Sequence, residues 1–215
     1  MDFKDFLLEK SGGFRKVIVV YGGGFQPFHQ GNMSSYEQAK KEFPKAELYV
    51  ATSSDVKVRP IPFEDKKFLA QQAGVTDHIV QTKSPLNPTE ITDQYDPKKD
   101  ILILVRSERD PVPYKKKDGS PAYYQPFESI AKCKPFENHG YIFVTKKKVF
   151  KVGKKEVYSG SQIRQMYASA NDEGREEIIN SLYPRALKPK KIKTLLDKYL
   201  SIKEDLDFQF LELLS

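Results

Sequence analysis

Apolar positions along this chain alternate between two kinds of run. Short, nearly unbroken β-branched stretches occur at Lys16–Tyr21, Ala46–Ala51, His78–Gln81, Asp100–Val105 and Tyr141–Val144. Such runs suit parallel strands covered on both faces. Between them, apolar residues recur at helical spacing. Tyr36, Ala39 and Phe43 mark the inward side of a helix from about Ser34 to Phe43, which Pro44 ends. Phe68, Leu69 and Ala73 do the same for a helix over Phe63–Ala73, closed by Gly74. Asp2–Lys10 is expected as a short N-terminal helix, and a helix over Pro88–Tyr95 interrupts a proline-rich loop. Arg106–Pro126 reads as loop, with a tight turn at Asp118-Gly119, and Val149–Val157 as a lysine-coated hairpin turning at Gly153. Helices then follow over Ile163–Ala170, Glu173–Leu182 and Lys190–Leu200, each with an apolar stripe. Alternating strands and helices predict an α/β chain with a doubly wound parallel sheet of five strands and a C-terminal helical extension. The expected boundaries are an N-terminal helix at 1–15, an α/β domain at 16–187 and a helical tail at 188–215.

Composition narrows the chemistry. The chain has 215 residues, enough for a full core without staples. A single cysteine, Cys133, rules out an intramolecular disulfide. One cysteine and three scattered histidines (His29, His78, His139) argue against a dedicated transition-metal cage. The N-terminus is charged throughout and lacks the apolar core of a signal peptide, and no apolar stretch approaches bilayer length. A cytoplasmic protein is expected, in the host cytoplasm if the chain is viral. The net charge of +7 favours anionic partners. Its lysines come in short clusters with no nucleic-acid motif or stacking aromatic array, which argues against a nucleic-acid platform.

Two stretches carry candidate chemistry. Tyr21 to Asn32 reads Tyr-Gly-Gly-Gly-Phe-Gln-Pro-Phe-His-Gln-Gly-Asn, lying between the first strand and the first helix. A glycine-rich turn opening a helix can place backbone N–H groups and a positive helix end against phosphate, with His29 near the same anion. An ordinary strand–helix turn with a surface histidine fits these residues equally well. After the fifth strand, Tyr158-Ser159-Gly160-Ser161-Gln162-Ile163-Arg164 offers two hydroxyls and an arginine at a helix start. That is either a second phosphate cradle or a plain N-cap by Ser159 or Ser161.

Together the two stretches resemble the nucleotidylyltransferase superfamily. Gly23 to Asn32 is similar to its G-x-F-x-P-x-H-x-G-H signature, and Ser159 to Arg164 to its second signature, I-S-[ST/G]-T-x-I/L-R. The likeness runs from about Lys16 to Pro184 and is nearest the nicotinamide-nucleotide and phosphopantetheine adenylyltransferase branch. The longer R-T-x-G-I-S-T-T form usual in the cytidylyl branch is absent.

The resemblance implies a Rossmann-like fold. It also implies transfer of a nucleoside monophosphate, AMP from ATP before CMP from CTP, to a small phosphorylated acceptor with loss of pyrophosphate. Mg²⁺ would travel on the nucleotide's own oxygens, with no metal ligand from the protein. In that pattern His29, Asn32 and Arg164 are the catalytic residues. Gly24, Phe25, Gln26, Ser159, Gly160, Ser161 and Arg164 hold the nucleotide. Lys66 or Lys67 resembles the substrate-side lysine, though either could be a solvated helix residue. Arg106 and Arg109 follow the fourth strand, where the family often has G-x-x-D; Asp110 fits the acid and Arg106 replaces the glycine.

One departure stands out: Asn32 replaces the second histidine of the signature. Asparagine donates a hydrogen bond but cannot carry an imidazolium charge, and loss of such a donor costs on the order of a hundredfold in rate. The alternative is therefore a catalytically impaired relative, bacteriophage-encoded among the options, that binds nucleotide or serves in assembly. Its apolar run Leu206, Phe208, Phe210, Leu211, Leu213 and Leu214 could dock on a partner, a second copy included, or pack on its own core.

Overall fold

The β-branched runs of the sequence become neighbouring strands of a single sheet. The computed structural model describes residues 15–53, 60–108, 114–146, 148–153, 155–157 and 159–200. The expected N-terminal helix, Arg109, Asp110, Tyr158 and the apolar run from Leu206 to Leu214 lie outside the described residues. Two compact units divide the chain. A sheet unit draws on 15–24, 34–53 and 77–146, and a helical unit on 25–33, 60–76 and 148–200. No helix among the described residues is long and apolar enough to cross a membrane.

The sheet unit holds β1 (Val17–Gly22), β2 (Glu47–Thr52), β3 (His78–Gln81), β4 (Ile101–Ser107), β5 (Tyr124–Pro126) and β6 (Gly140–Thr145). Their order is β3-β2-β1-β4-β6-β5, and every neighbouring pair is parallel. The doubly wound parallel sheet is therefore present with six strands, not five. The extra strand is β5, a three-residue edge strand inside the segment read as loop. It ends in Pro126, and short runs with proline show no strand periodicity; only pairing with β6 makes it a strand. Between β1 and β4 the winding reverses direction, the switch point at which ligands of such sheets are usually held.

Alternation along the strands divides the side chains between two faces. One face carries Ile18, Val20, Tyr49, Leu102, Leu104 and Ile142, closed by Ile91 of α3 (Thr89–Thr92). The other lies under α1 (Gln30–Glu42), whose Tyr36, Ala39 and following Phe43 are buried as the spacing predicts. Ser35 of α1 bonds to the Thr145 hydroxyl at 2.9 Å, and Phe43 meets Phe143 and Phe127 edge-on.

The helical unit holds α2 (Phe63–Ala73), the antiparallel hairpin β7 (Phe150–Val152) and β8 (Lys155–Val157), and three further helices. These are α4 (Gly160–Ser169), α5 (Asp172–Leu182) and α6 (Pro189–Leu200). The hairpin turns at Gly153, whose φ of 58° is the left-handed region open to glycine. Ile192, Leu195, Leu196 and Leu200 of α6 enter the same core as Ile163 of α4 and Leu182 of α5. Each buried aliphatic side chain of this kind contributes about 2 kcal/mol. On α2 the buried residues are Lys66, Leu69 and Ala70, while Phe68 and Ala73 are only partly buried against the core. The expected Phe68, Leu69 and Ala73 thus all meet the core, and Lys66 and Ala70 extend the inward side beyond what the polarity of position 66 suggested.

One carboxylate links the three C-terminal helices. Asp197 of α6 accepts from Tyr167 of α4 at 2.9 Å, Arg175 of α5 at 3.0 Å and Lys193 at 2.9 Å. Burial by itself would raise the Asp197 pKa, but the bonds from Lys193 and Tyr167 outweigh it and hold the group below its ordinary 3.8. Because the folded-state value is depressed, the stabilisation is complete above 3.8 and is lost as pH falls through the lower folded value. Asp197→Ala leaves the buried Tyr167 hydroxyl without its acceptor, and a loss of about 1–3 kcal/mol is expected in denaturant titration at neutral pH. Asp197→Asn should flatten the acid limb of the melting temperature plotted against pH; a limb unchanged from wild type would refute the assignment.

Candidate active site

Immediately after the glycines that close β1, the chain enters the helical unit as Phe25–Met33. Phe25 has φ 47°, a left-handed setting that disfavours a residue with a β-carbon by about 1–2 kcal/mol. Its ring is buried 5.0 Å from that of Phe28, and the intervening Gln26–Pro27 peptide is cis. The surrounding bonds hold this segment closely. The Gln26 carboxamide donates to the Ile61 carbonyl at 3.3 Å and accepts from the Ile61 N–H at 3.1 Å. Tyr183 donates to the Phe28 carbonyl at 2.9 Å, and Gln30 to the Leu182 carbonyl at 2.8 Å. Burial pushes the Tyr183 phenol far above its ordinary value, so it remains a donor at any physiological pH.

Arg164 joins the two signature stretches. One guanidinium nitrogen donates to the Gln26 carbonyl at 2.9 Å and the other to the Ser161 hydroxyl at 3.0 Å. Gly160 makes this approach possible: a β-carbon there would sit 3.1 Å from the Gln26 carbonyl oxygen and 3.6 Å from Arg164. Ser159 is the N-cap of α4 and accepts from the Gln162 N–H at 3.3 Å. The remaining N–H groups of that first turn have no intrahelical acceptor, and the helix end is positive. The Ser159 cap is therefore present, and a helix start backed by an arginine has the chemistry to receive an anion.

His29 and Asn32 act as a reciprocal cap on α1. The Met33 N–H bonds to the His29 carbonyl at 2.9 Å, which makes His29 the N-cap residue. Its Nδ1 accepts from the Gly31 N–H at 3.1 Å and the Asn32 N–H at 3.4 Å. In return, the Asn32 side-chain oxygen accepts from the His29 N–H at 3.0 Å. This is the capping-box exchange, made with histidine and asparagine in place of serine and glutamate. With Nδ1 accepting, the neutral imidazole carries its proton on Nε2. Gly31 gives the ring room, since a β-carbon there would lie 3.0 Å from His29 Cε1 and the imidazole would have to shift.

The other expected site residues are distributed as follows. Lys66 is 1% exposed on the inward side of α2, and Lys67 is half-buried on the same helix. Lys66 is therefore not a solvated helix residue. Gly24 closes the sheet unit's first segment, and Arg106 lies on β4 of that unit, opposite Val144 of β6. Arg106 Nε is buried without a hydrogen-bond partner. Two contributors had no signal in the sequence reading. The Gln26–Ile61 clamp spans 35 positions, and Phe150 of β7 stacks on His29 with centroids 5.5 Å apart. The described residues contain no group of three or more His, Cys, Asp or Glu placed to hold a metal ion.

A family model described as cytidylyltransferase-like matches residues 20–166. A structure of a bifunctional NMN adenylyltransferase/ADP ribose pyrophosphatase from Francisella tularensis is similar at 15% identity and TM-score 0.50, covering 94% of this chain and 57% of that one. A second structure of it, complexed with AMP and a Mn ion, gives 13% identity and TM-score 0.49 over 94% and 57%. The likeness is one of fold, and the chain spans 57% of the length of the protein it matches. No curated protein matches the chain.

Removing the clamp tests how far this local order depends on it. Gln26→Ala strands the N–H and carbonyl of the fully buried Ile61. It should cost about 1–3 kcal/mol in denaturant titration and lower the melting temperature. A variant as stable as wild type would show that the loop is held without it.

Proposed function

This chain belongs to the cytidylyltransferase-like family, and from that membership we propose that it transfers a nucleoside monophosphate, AMP from ATP in the first instance, to a small phosphorylated acceptor. The observation that carries the proposal is the bond from Arg164 to the Gln26 carbonyl, which ties the helix start of the second signature to the loop of the first. An acceptor phosphate oxygen attacks the α-phosphorus, the bond to the bridging oxygen breaks, and pyrophosphate leaves with the electron pair. Such a transfer needs positioning and charge stabilisation more than a protein nucleophile.

The side chains have roles that follow from their chemistry. His29 donates from Nε2 to phosphate oxygen as negative charge moves toward the leaving group. Ser159, Ser161, Arg164 and the N–H groups opening α4 receive the β- and γ-phosphates, with Gly24, Phe25 and Gln26 lining the nucleotide. Magnesium carried by the triphosphate supplies further neutralisation of its charge. Lys66 and Lys67 are assigned to the acceptor side on the family pattern. Arg106, on β4 of the sheet unit, is proposed separately as a substrate-binding residue, with the support of its unpartnered buried Nε.

Asn32 supports a second reading, in which the chain binds nucleotide without turnover. Its side-chain oxygen is engaged by the His29 backbone, and a carboxamide supplies no imidazolium charge. The two readings separate in one experiment. Binding of Mg²⁺–ATP and Mg²⁺–CTP is measured by thermal shift, followed by pyrophosphate release across a panel of phosphorylated acceptors. Turnover is expected, with kcat about a hundredfold or more lower in His29→Ala, measured at a temperature where that variant stays folded despite losing its cap on α1. Binding without any turnover selects the second reading, and neither binding nor turnover overturns both.

A further inference from the structure

Phe150 has no place in either signature. It opens β7 and pairs across the hairpin with Val157, two residues before the Ser159 cap. Its ring is 8% exposed and belongs to the core of the helical unit, yet one face lies against the His29 imidazole. The ring centroids are 5.5 Å apart and the planes 26° from parallel. Gly31 lies beside the pair: a β-carbon there would be in ordinary contact with Phe150 Cε1 at 3.7 Å.

The capping bonds alone do not hold the imidazole. At 3.1 and 3.4 Å they restrain Nδ1 only loosely, and the final side-chain torsion of histidine is soft, so the ring plane keeps some play. A flat apolar wall on one face removes that freedom. It also presents the electron-rich face of a phenyl ring, which favours the positive charge that grows on an imidazole as it donates a hydrogen bond. Because the hairpin runs directly into the Ser159 cap, the same element borders both signature stretches within the helical unit. We propose that Phe150 is a positioning residue for His29, holding the imidazole plane so that Nε2–H meets the triphosphate in one orientation. The proposal rests on the assignment of His29 to the triphosphate made above.

The test is a double-mutant cycle. Phe150→Leu keeps an apolar side chain in the core and removes the aromatic plane; Phe150→Tyr keeps the plane. Each is made in the wild-type and His29→Ala backgrounds, and kcat and KM are measured for pyrophosphate release. If the wild type binds without turnover, the cycle is read on the dissociation constant of Mg²⁺–ATP. Phe150→Leu should lower kcat about tenfold, or weaken that binding to the same degree, through misplacement of the donor. KM should stay within about twofold, Phe150→Tyr should restore the loss, and Phe150→Leu should have no further effect once His29 is alanine. Equal losses in the two backgrounds would overturn the proposal and leave the function standing. A His29→Ala variant as active and as tightly bound as wild type would instead sink the functional assignment. A second measurement needs no variant at position 150. The ring protons of His29, identified by their loss in His29→Ala, should show an upfield ring-current shift, and the imidazole nitrogens should report protonation at Nε2. Absence of that shift in the wild-type protein would also overturn the proposal.

Discussion

A guanidinium bonded to a backbone carbonyl is the constraint on which the candidate site depends. Arg164 reaches the Gln26 carbonyl across 138 positions of sequence, and without it the two signature stretches would be unconnected pieces of loop and helix. A charged donor on a peptide oxygen is stronger than a neutral pair, and its fork leaves a second nitrogen for Ser161. Around it, Gln26 on Ile61, Tyr183 on Phe28 and Gln30 on Leu182 hold the loop at further points. Fixing a loop residue costs about 1–2 kcal/mol in conformational entropy, so a segment secured before the ligand arrives spares binding that cost.

The helix start at His29 is built by a related economy of groups. Its imidazole serves as a cap through Nδ1 and so keeps its proton on Nε2. Asn32 completes the exchange by accepting from the His29 N–H, which gives it a structural part whatever it contributes to rate. An asparagine in this position therefore does not by itself mark a disused site. Behind both signatures stands the packing of α4, α5 and α6, where Asp197 serves donors from all three helices. The arginine of the second signature sits on α4, the helix that this partly buried network ties to its neighbours through Tyr167.

Much of the framework could be read from the chain alone. Five β-branched runs lie within a residue or two of five observed strands, and the three C-terminal stripes became α4, α5 and α6. The hairpin at Gly153 was visible as well, because glycine at a turn between alternating residues is local chemistry. β5 was not, since three edge residues ending in proline have no period and are a strand only through β6. The inward side of α2 was read incompletely for a comparable reason: Lys66 is buried beside Leu69, and a lysine reads as solvent in any pattern of polarity.

The sequence by itself determined most of the strands and helices, roughly where they stop, and that His29 and Arg164 lie near helix starts. These are short-range consequences of side-chain periodicity, caps and turn residues. Only the tertiary structure decided that Gln26 would spend its carboxamide on Ile61, that Arg164 would find the Gln26 carbonyl, and that Phe150 would lie flat on His29. Each of those contacts joins residues at least 35 positions apart, and its partner is chosen by how the elements pack, which no local pattern records.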